Sequence, residues 1–200
     1  MNQISFIQRV INDLITVAPQ FKSTFIDKEY LIFSSKMINR KYYIVSTNPD
    51  NFMHLTGIKT NSPIDFYNKC INGTLVEGDI NIPSQEKGNI RRKIIVLPNL
   101  INLFSNDVLF EEDFSHNAVH CSFASTDLNV TIGFCKPNEN NVARPMTLLK
   151  GYSGFNDGAA LVELILERKR GEELFTKILC GDKDIIINNG LASLVDPKLL

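Results

Sequence analysis

The chain is 200 residues long, 44% hydrophobic and 22% charged, with a net charge of −1 at pH 7. Such a composition gives a folded chain with room for a real core, and its near-neutrality counts mildly against nonspecific nucleic-acid binding, which draws much of its affinity from phosphate neutralisation. No apolar run approaches the roughly 18 residues of a membrane span, and Met1-Asn2-Gln3-Ile4 lacks the basic start of a secretion signal, so a cytoplasmic protein with no membrane partner is expected.

Ile4, Ile7, Ile11, Leu14 and Ala18 recur at helical spacing, with Val10 and Ile15 widening the stripe. This predicts a helix over 4–18 that ends at Pro19 and docks its apolar face on the rest of the chain. Tyr30-Leu31-Ile32-Phe33 and Tyr42-Tyr43-Ile44-Val45 are β-rich runs and read as a hairpin. Asn48 can cap a short helix, Pro49 fits its first turn and Gly57 supplies the left-handed residue that ends it. Ser62-Pro63-Ile64-Asp65 starts another with a cap, a first-turn proline and an acidic third position.

Residues 77–88 read as loop. Beyond them Ile90, Ile94, Leu97, Ile101 and Phe104 return to helical spacing, with Pro98 expected to kink or break the helix. The period then switches to two. Val119, Cys121 and Phe123 form one stripe and Val130, Ile132 and Phe134 another, joined by a link short enough for an antiparallel hairpin with one shared core face. Runs at 108–114 and 146–149 would flank it as a meander, with a polar loop at 137–141. Leu161, Leu164, Ile165 and Leu166 suggest a helical segment over 157–180, and 184–187 a short strand. The fold class expected is α+β: helices on one face of a mainly antiparallel sheet of four to six strands. The whole chain, 1–200, forms one domain with its core at 29–152.

Cys70, Cys121, Cys135 and Cys180 are widely separated and form no close pair, which disfavours a zinc site and a disulfide framework. Cys121 and Cys135 fall in strand-like runs and read as buried thiols. Phosphate-loop, nucleophile-elbow and metalloprotease signatures are missing, so neither a cofactor nor a metal is expected.

His54 is the leading candidate for chemistry, since an imidazole titrates near neutral pH. Its place in a helix's last turn favours the charged form and hence a general acid or phosphate clamp. The alternative is a histidine that caps the turn or packs on Phe52. Thr56 and Thr147 could donate to phosphate oxygens, or could be an ordinary turn residue and strand residue. Arg144, Lys150, Arg91 and Arg92 are the cations suited to a phosphate, or else plain surface charges. His116 and His120 are candidates for a second histidine, at a distance from His54 that sequence does not fix.

Phe52-Met53-His54-Leu55-Thr56-Gly57-Ile58, then Asp65-Phe66-Tyr67, Gly73-Thr74-Leu75 and Arg144-Pro145-Met146-Thr147-Leu148-Leu149, resemble the phage-type branch of the Barnase–EndoU–colicin–RelE-like (BECR) nucleases over residues 29–152. The resemblance implies a metal-independent RNA-cleaving domain of a phage or mobile element, toxin-like, with RNA as substrate and a neutralising immunity or antitoxin protein as partner. In that reading the 2′-hydroxyl attacks the adjacent phosphate and His54 protonates the leaving group. Thr56 and Thr147 hold phosphate oxygens, and Arg144 or Lys150 stabilises the added charge. The competing reading is a non-enzymatic interaction module of the same fold, working through its sheet face or the Tyr42/Tyr43 edge. A cationic cleft near His54 would favour the first, a flat apolar patch the second.

Overall fold

The computed structural model of the chain describes residues 5–105, 107–135, 142–152, 154–155 and 158–200. The polar loop expected at 137–141 and the first residue of the expected N-terminal helix, Ile4, lie outside them. The protein is α+β, built on two five-stranded sheets rather than one.

α1 (Phe6–Phe21) starts at Ser5, whose hydroxyl accepts the Gln8 N–H at 3.0 Å. It buries Val10, Ile11, Leu14, Val17, Ala18 and Phe21. The helix does not stop at Pro19. So near the C-terminal end proline forfeits a single bond, and the apolar stripe continues to Phe21, whose ring packs on Phe25 across the wide turn Lys22–Ile26. β1 (Lys28–Phe33) and β2 (Tyr43–Ser46) form the expected antiparallel hairpin, with Leu31 opposite Ile44. α2 (Pro49–Thr56) and α3 (Pro63–Asn72) end where expected, at left-handed Gly57 and Gly73. α4 (Lys87–Leu100) takes in Pro98 and ends two residues later, and Phe104 falls in a separate short turn of helix (Leu103–Ser105), so the run expected to reach Phe104 is interrupted close to the proline.

The chain continues through β3 (Leu109–Glu112), β4 (Ser115–His116), β5 (Val119–His120), β6 (Phe123–Thr126), β7 (Val130–Phe134), β8 (Val142–Ala143), β9 (Pro145–Lys150) and β10 (Ala160–Leu161). One sheet has the order β10-β3-β6-β7-β9, the meander that period-two patterning predicts. Its strand before the hairpin is misplaced in that reading, however. Residues 119–123 are not one strand: Val119 and His120 pair with His116 and Ser115 in a side hairpin, and the meander strand starts at Phe123, opposite Phe134. The chain changes partner here, since Cys121 N–H donates to Phe114 and Ser122 N–H to Phe134, both at 2.9 Å. Alternation records which side is buried and is silent on which neighbour supplies the hydrogen bonds.

β11 (Leu164–Lys169) and β12 (Lys177–Cys180) replace the helix expected over 157–180, and complete the other sheet in the order β12-β11-β1-β2-β8. It is antiparallel except where β2 meets β8. Leu164, Ile165 and Leu166 are all fully buried because both faces of this sheet are covered. A short unbroken apolar run fits a doubly covered strand as well as a helix. α5 (Lys183–Asn188) stands where a strand was expected. Asp182 caps it by accepting the Asp184 and Ile185 N–H groups at 2.9 and 3.0 Å, and only Ile186 is buried.

The main core lies between the sheets and beneath α1–α4. Tyr43 reaches across from β2 to Phe123 of β6 at 4.1 Å, and Phe123 stacks on Phe134 of β7 at 4.6 Å. A second cluster, with Leu31, Phe33, Leu164 and Leu166 under Phe175, Ile186, Leu191 and Val195, covers the outer face of the β12-β11-β1-β2-β8 sheet. All four cysteines are free. Burial pushes Cys70 up to about 12 and Cys121 up to about 11, which makes both poor nucleophiles at neutral pH. No helix among the described residues is long and apolar enough to cross a membrane. What positions the site is the packing of β9 against α2 and α4.

Candidate active site

α2 delivers His54 to an exposed last turn. The turn is held from inside by Thr56, which is 0% exposed. Its hydroxyl donates to the Met53 carbonyl at 2.7 Å and accepts the Ile58 N–H at 3.1 Å. With its one proton committed and no open surface, Thr56 acts on its surroundings by fixing this turn, and the phosphate contact expected of it gives way to that role. Gly57 suits the turn by its conformation and by the close approach of a neighbour. Its φ is +76°, and a Cβ there would stand 3.1 Å from Lys93 Cδ. The Lys93 stem crosses the turn at this point and its ammonium donates to the His54 carbonyl at 3.3 Å.

Lys93 leads into a cleft of about 450 Å³ between α4, the C-terminal end of β9 and the β4–β5 hairpin. Arg92, Lys93, Lys150 and His116 supply its charged and titratable side chains, with Asn89 and Asn117 as amides; among the described residues no carboxylate lines it. Burial holds Lys93 below its ordinary range, with Glu86 nearby acting in the opposite direction. Asn117, left-handed at φ 53°, turns the hairpin, and its Nδ2 meets His116 Nε2 at 2.9 Å. The ring of His116 lies flush on Gly154, where a Cβ would come within 2.7 Å of His116 Cβ. Three cations and an imidazole on one concave wall can hold a phosphate and move a proton beside it.

The structure thus brings together Arg92, Lys150 and His116; His54 does not line the cleft and is tied to it through its backbone carbonyl, which accepts from Lys93. Other expected residues stand elsewhere. Arg91, about 100° round the helix from Arg92, lines a separate hollow with Phe6, Arg9 and Asp13 of the α1 side. Arg144 precedes β9 while Lys150 ends it, about 20 Å apart at roughly 3.3 Å per residue. The Arg144 backbone is tied to Cys135, donating to Sγ at 3.4 Å. Thr147 is buried on the sheet face with Cys121, its methyl over Gly133, and does not line the cleft. His120 is exposed and pairs with Ser115 at 3.0 Å. Lys93 and Asn89 are the residues that sequence reading missed, although Asn89, Arg92 and Lys93 share one helix face by their i, i+3, i+4 spacing. Among the described residues no group of three or more His, Cys, Asp and Glu side chains is placed to hold a metal ion.

Residues 13–166 match the family described as phage-Barnase-EndoU-ColicinE5/D-RelE like nuclease 4. The chain belongs to this nuclease family. The match starts inside α1 and ends in β11, wider than the span of the motifs, and it takes in every element that builds the cleft of this BECR-type protein. Nothing among curated proteins or solved structures matches the chain.

Proposed function

We propose that this BECR-family protein is a metal-independent endoribonuclease that works at the cleft between α4, β9 and the β4–β5 hairpin. The observation that carries this reading is the lining itself: Arg92, Lys93 and Lys150 converge with His116, and among the described residues no carboxylate joins them. In a chain of net charge −1, that concentration of positive charge fits a phosphodiester. A two-metal mechanism would instead call for carboxylate ligands at the phosphate.

The scissile phosphate sits between Arg92, Lys93 and Lys150. The RNA 2′-hydroxyl attacks it, the bond to the 5′-oxygen breaks, and a 2′,3′-cyclic phosphate and a 5′-hydroxyl result. His116, held by the contact of its Nε2 with Asn117 Nδ2 at 2.9 Å, is the imidazole that lines the cleft and takes the 2′ proton. His54, exposed in the last turn of α2, supplies a proton to the departing oxygen. The three cations stabilise the charge that grows on the phosphate as the bonds exchange. Thr56 keeps the His54 turn in place. The word phage in the family description supports an origin in a phage or mobile element, where a toxin-like RNase would call for a neutralising partner protein.

The test is incubation of purified protein with mixed single-stranded and structured RNA in EDTA. Cleavage that persists, leaves cyclic-phosphate ends and disappears in Arg92→Ala/Lys150→Ala is the expected result. Cleavage that stops in EDTA and returns with a divalent metal would overturn the mechanism. An RNA pool left intact under all conditions would move the protein to the interaction-module reading.

A further inference from the structure

On the far side of Lys93 from the cationic cleft runs a second depression of different chemistry. Its centre, about 400 Å³, lies between the loop after Gly57 and the loop before α4, and Thr60, Asn61, Asp79 and Asn81 line it. Lys59 and Asn81 form an antiparallel bridge that ties the two loops together. Two adjoining hollows extend it. One, about 260 Å³, shares Thr60, Asn61 and Asp79 and continues to Asp65 and Lys69. The other, about 210 Å³, shares Lys59 and Asn81 and reaches Gln85, Glu86 and Gly57. At Gly57 it meets the Lys93 stem that also lines the cationic cleft. The two depressions therefore abut across a single side chain.

Their charge differs in kind. Among the described residues the cleft holds cations and no carboxylate, whereas the groove contains Asp65, Asp79 and Glu86 against Lys59 and Lys69. Lys69 is matched within the groove, at 2.6 Å from Asp79 and 3.3 Å from Asp65. Asp79 is fully engaged: its second oxygen accepts the Val76 N–H at 3.0 Å. Carboxylates outnumber lysines along the groove, and what it offers a ligand besides them is the amides of Asn61, Asn81 and Gln85, with the Thr60 hydroxyl. A phosphate gains nothing there, but the edge of a nucleobase does, because an amide donates and accepts together and can meet a base with two hydrogen bonds.

We propose that this groove is the base-recognition subsite for single-stranded RNA, receiving the base next to the phosphate held in the cationic cleft, with Asn61 and Asn81 reading its edge. This rests on the nuclease reading of the cleft. A single strand is required because only an unstacked base can turn its edge into a side-chain pocket. The strand crosses at Gly57, with its backbone over Lys93 and one base on the groove side. Asn61 and Asn81 are exposed, and the bridge at Asn81 is made by backbone, so replacing either side chain leaves the loops joined.

The experiment is cleavage of a randomised single-stranded RNA pool, with sequencing of the product ends. Wild type is expected to prefer one base beside the cut. Asn61→Ala/Asn81→Ala is expected to lower the ratio of preferred to disfavoured cleavage by about fivefold or more, since a good amide–base pair discriminates by at least that factor. The ratio is independent of the total rate. Lys150→Ala serves as the contrast: it should slow cleavage at all sequences alike and keep the ratio, as a phosphate contact does. An unaltered ratio in the double Asn variant, or no preference in wild type, overturns the proposal. If wild type binds the pool without cutting it, the catalytic reading fails, and the same ratio taken from bound sequences decides the subsite: retained preference in the variant sinks it and lost preference supports it. If wild type does not bind the pool at all, both readings fall.

Discussion

The last turn of α2 and the cleft beside α4 meet at Lys93, whose stem crosses Gly57 and whose ammonium donates to the His54 carbonyl, yet they are built on opposite plans. In the turn, polar groups are turned inward and used up. Thr56 is fully buried with its hydroxyl bonded on both sides, and Gly57 takes a conformation that few other residues tolerate. In the cleft, Arg92 and Lys150 are exposed and Lys93 half-buried, with charge left open to solvent. The residues that make up the recognisable motif are mostly scaffold. The charge that would meet a phosphate comes from elements far away in sequence. The comparison makes a divided expectation: changes in the turn lower stability first, and changes in the cleft lower activity first.

The largest effect belongs to the two histidines. His54→Ala and His116→Ala are each expected to lower RNA cleavage by about 10²–10⁴-fold, the usual range for a lost general acid or base. The melting temperature of His54→Ala should barely move, because an exposed helix-end imidazole contributes only about 0.3–1 kcal/mol. Full activity in His54→Ala would assign His54 to the turn rather than the cleft, and full activity in His116→Ala would leave the cleft without its base.

Lys93 stands on the border, and its substitution separates the two plans most sharply. Lys93→Met should lower cleavage by roughly 10²-fold, on the scale of one lost charge-stabilising donor, without lowering the melting temperature at neutral pH. Burial holds the native Lys93 below the ordinary lysine value of 10.5. Above that value the side chain is neutral in both folded and unfolded chains and its burial is uncharged. As pH falls through the lowered native value, the folded state must bury a charge and loses stability. The stability of wild type relative to Lys93→Met should therefore rise with pH across the alkaline window that ends near 10.5. A relative stability that is flat or falls there would mean that Lys93 gains more from its neighbours than burial takes away.

Thr56→Val tests the turn. It removes the donor to Met53 and leaves the buried Ile58 N–H without its acceptor, which costs about 1–3 kcal/mol. For a chain of this size each kcal/mol lowers the melting temperature by roughly 2–4 °C. Cleavage by the fraction still folded should be reduced far less than in the histidine variants. A large loss of activity at unchanged melting temperature would return Thr56 to the phosphate.

Local chemistry explains which parts of this arrangement were legible in the sequence. Asn48 with Pro49 and Gly57, and Ser62 with Pro63 and Gly73, define two helices because caps and left-handed glycines act within a few residues. The meander was legible for the same reason, through period-two burial and short links. Leu164-Ile165-Leu166 was misread because what covers both faces of that strand, Phe175 and Ile186 on one side and the main core on the other, lies outside any local window. The site follows the same rule. Arg92 and Lys150 were candidates by residue type, as were Arg91 and Arg144. Only the packing of β9 on α4 sorts them, putting Arg92 and Lys150 in one cleft and leaving the other two outside. The missing signal for Lys93 was available in its four-residue spacing from Asn89.

The smallest expected effect is a slope. If Arg92, Lys93 and Lys150 together neutralise about three phosphate charges, the affinity for a noncleavable single strand should fall with salt. The slope of log K against log salt should be about −2, at roughly −0.7 per neutralised phosphate. Lys150→Ala should reduce that slope by about 0.7, whatever the base sequence. Thr56→Val, if its turn is scaffold, should weaken binding without altering the slope, because it removes no charge. Titrations by fluorescence anisotropy from 50 to about 200 mM salt cover the range in which this dependence is measurable. A slope near zero for wild type would mean that the cleft cations do not meet phosphate, and equal slopes for wild type and Lys150→Ala would place the bound strand away from the end of β9. A slope changed by Thr56→Val would show that the turn and the cleft are not separable, and that the contacts of Lys93 with the turn couple them.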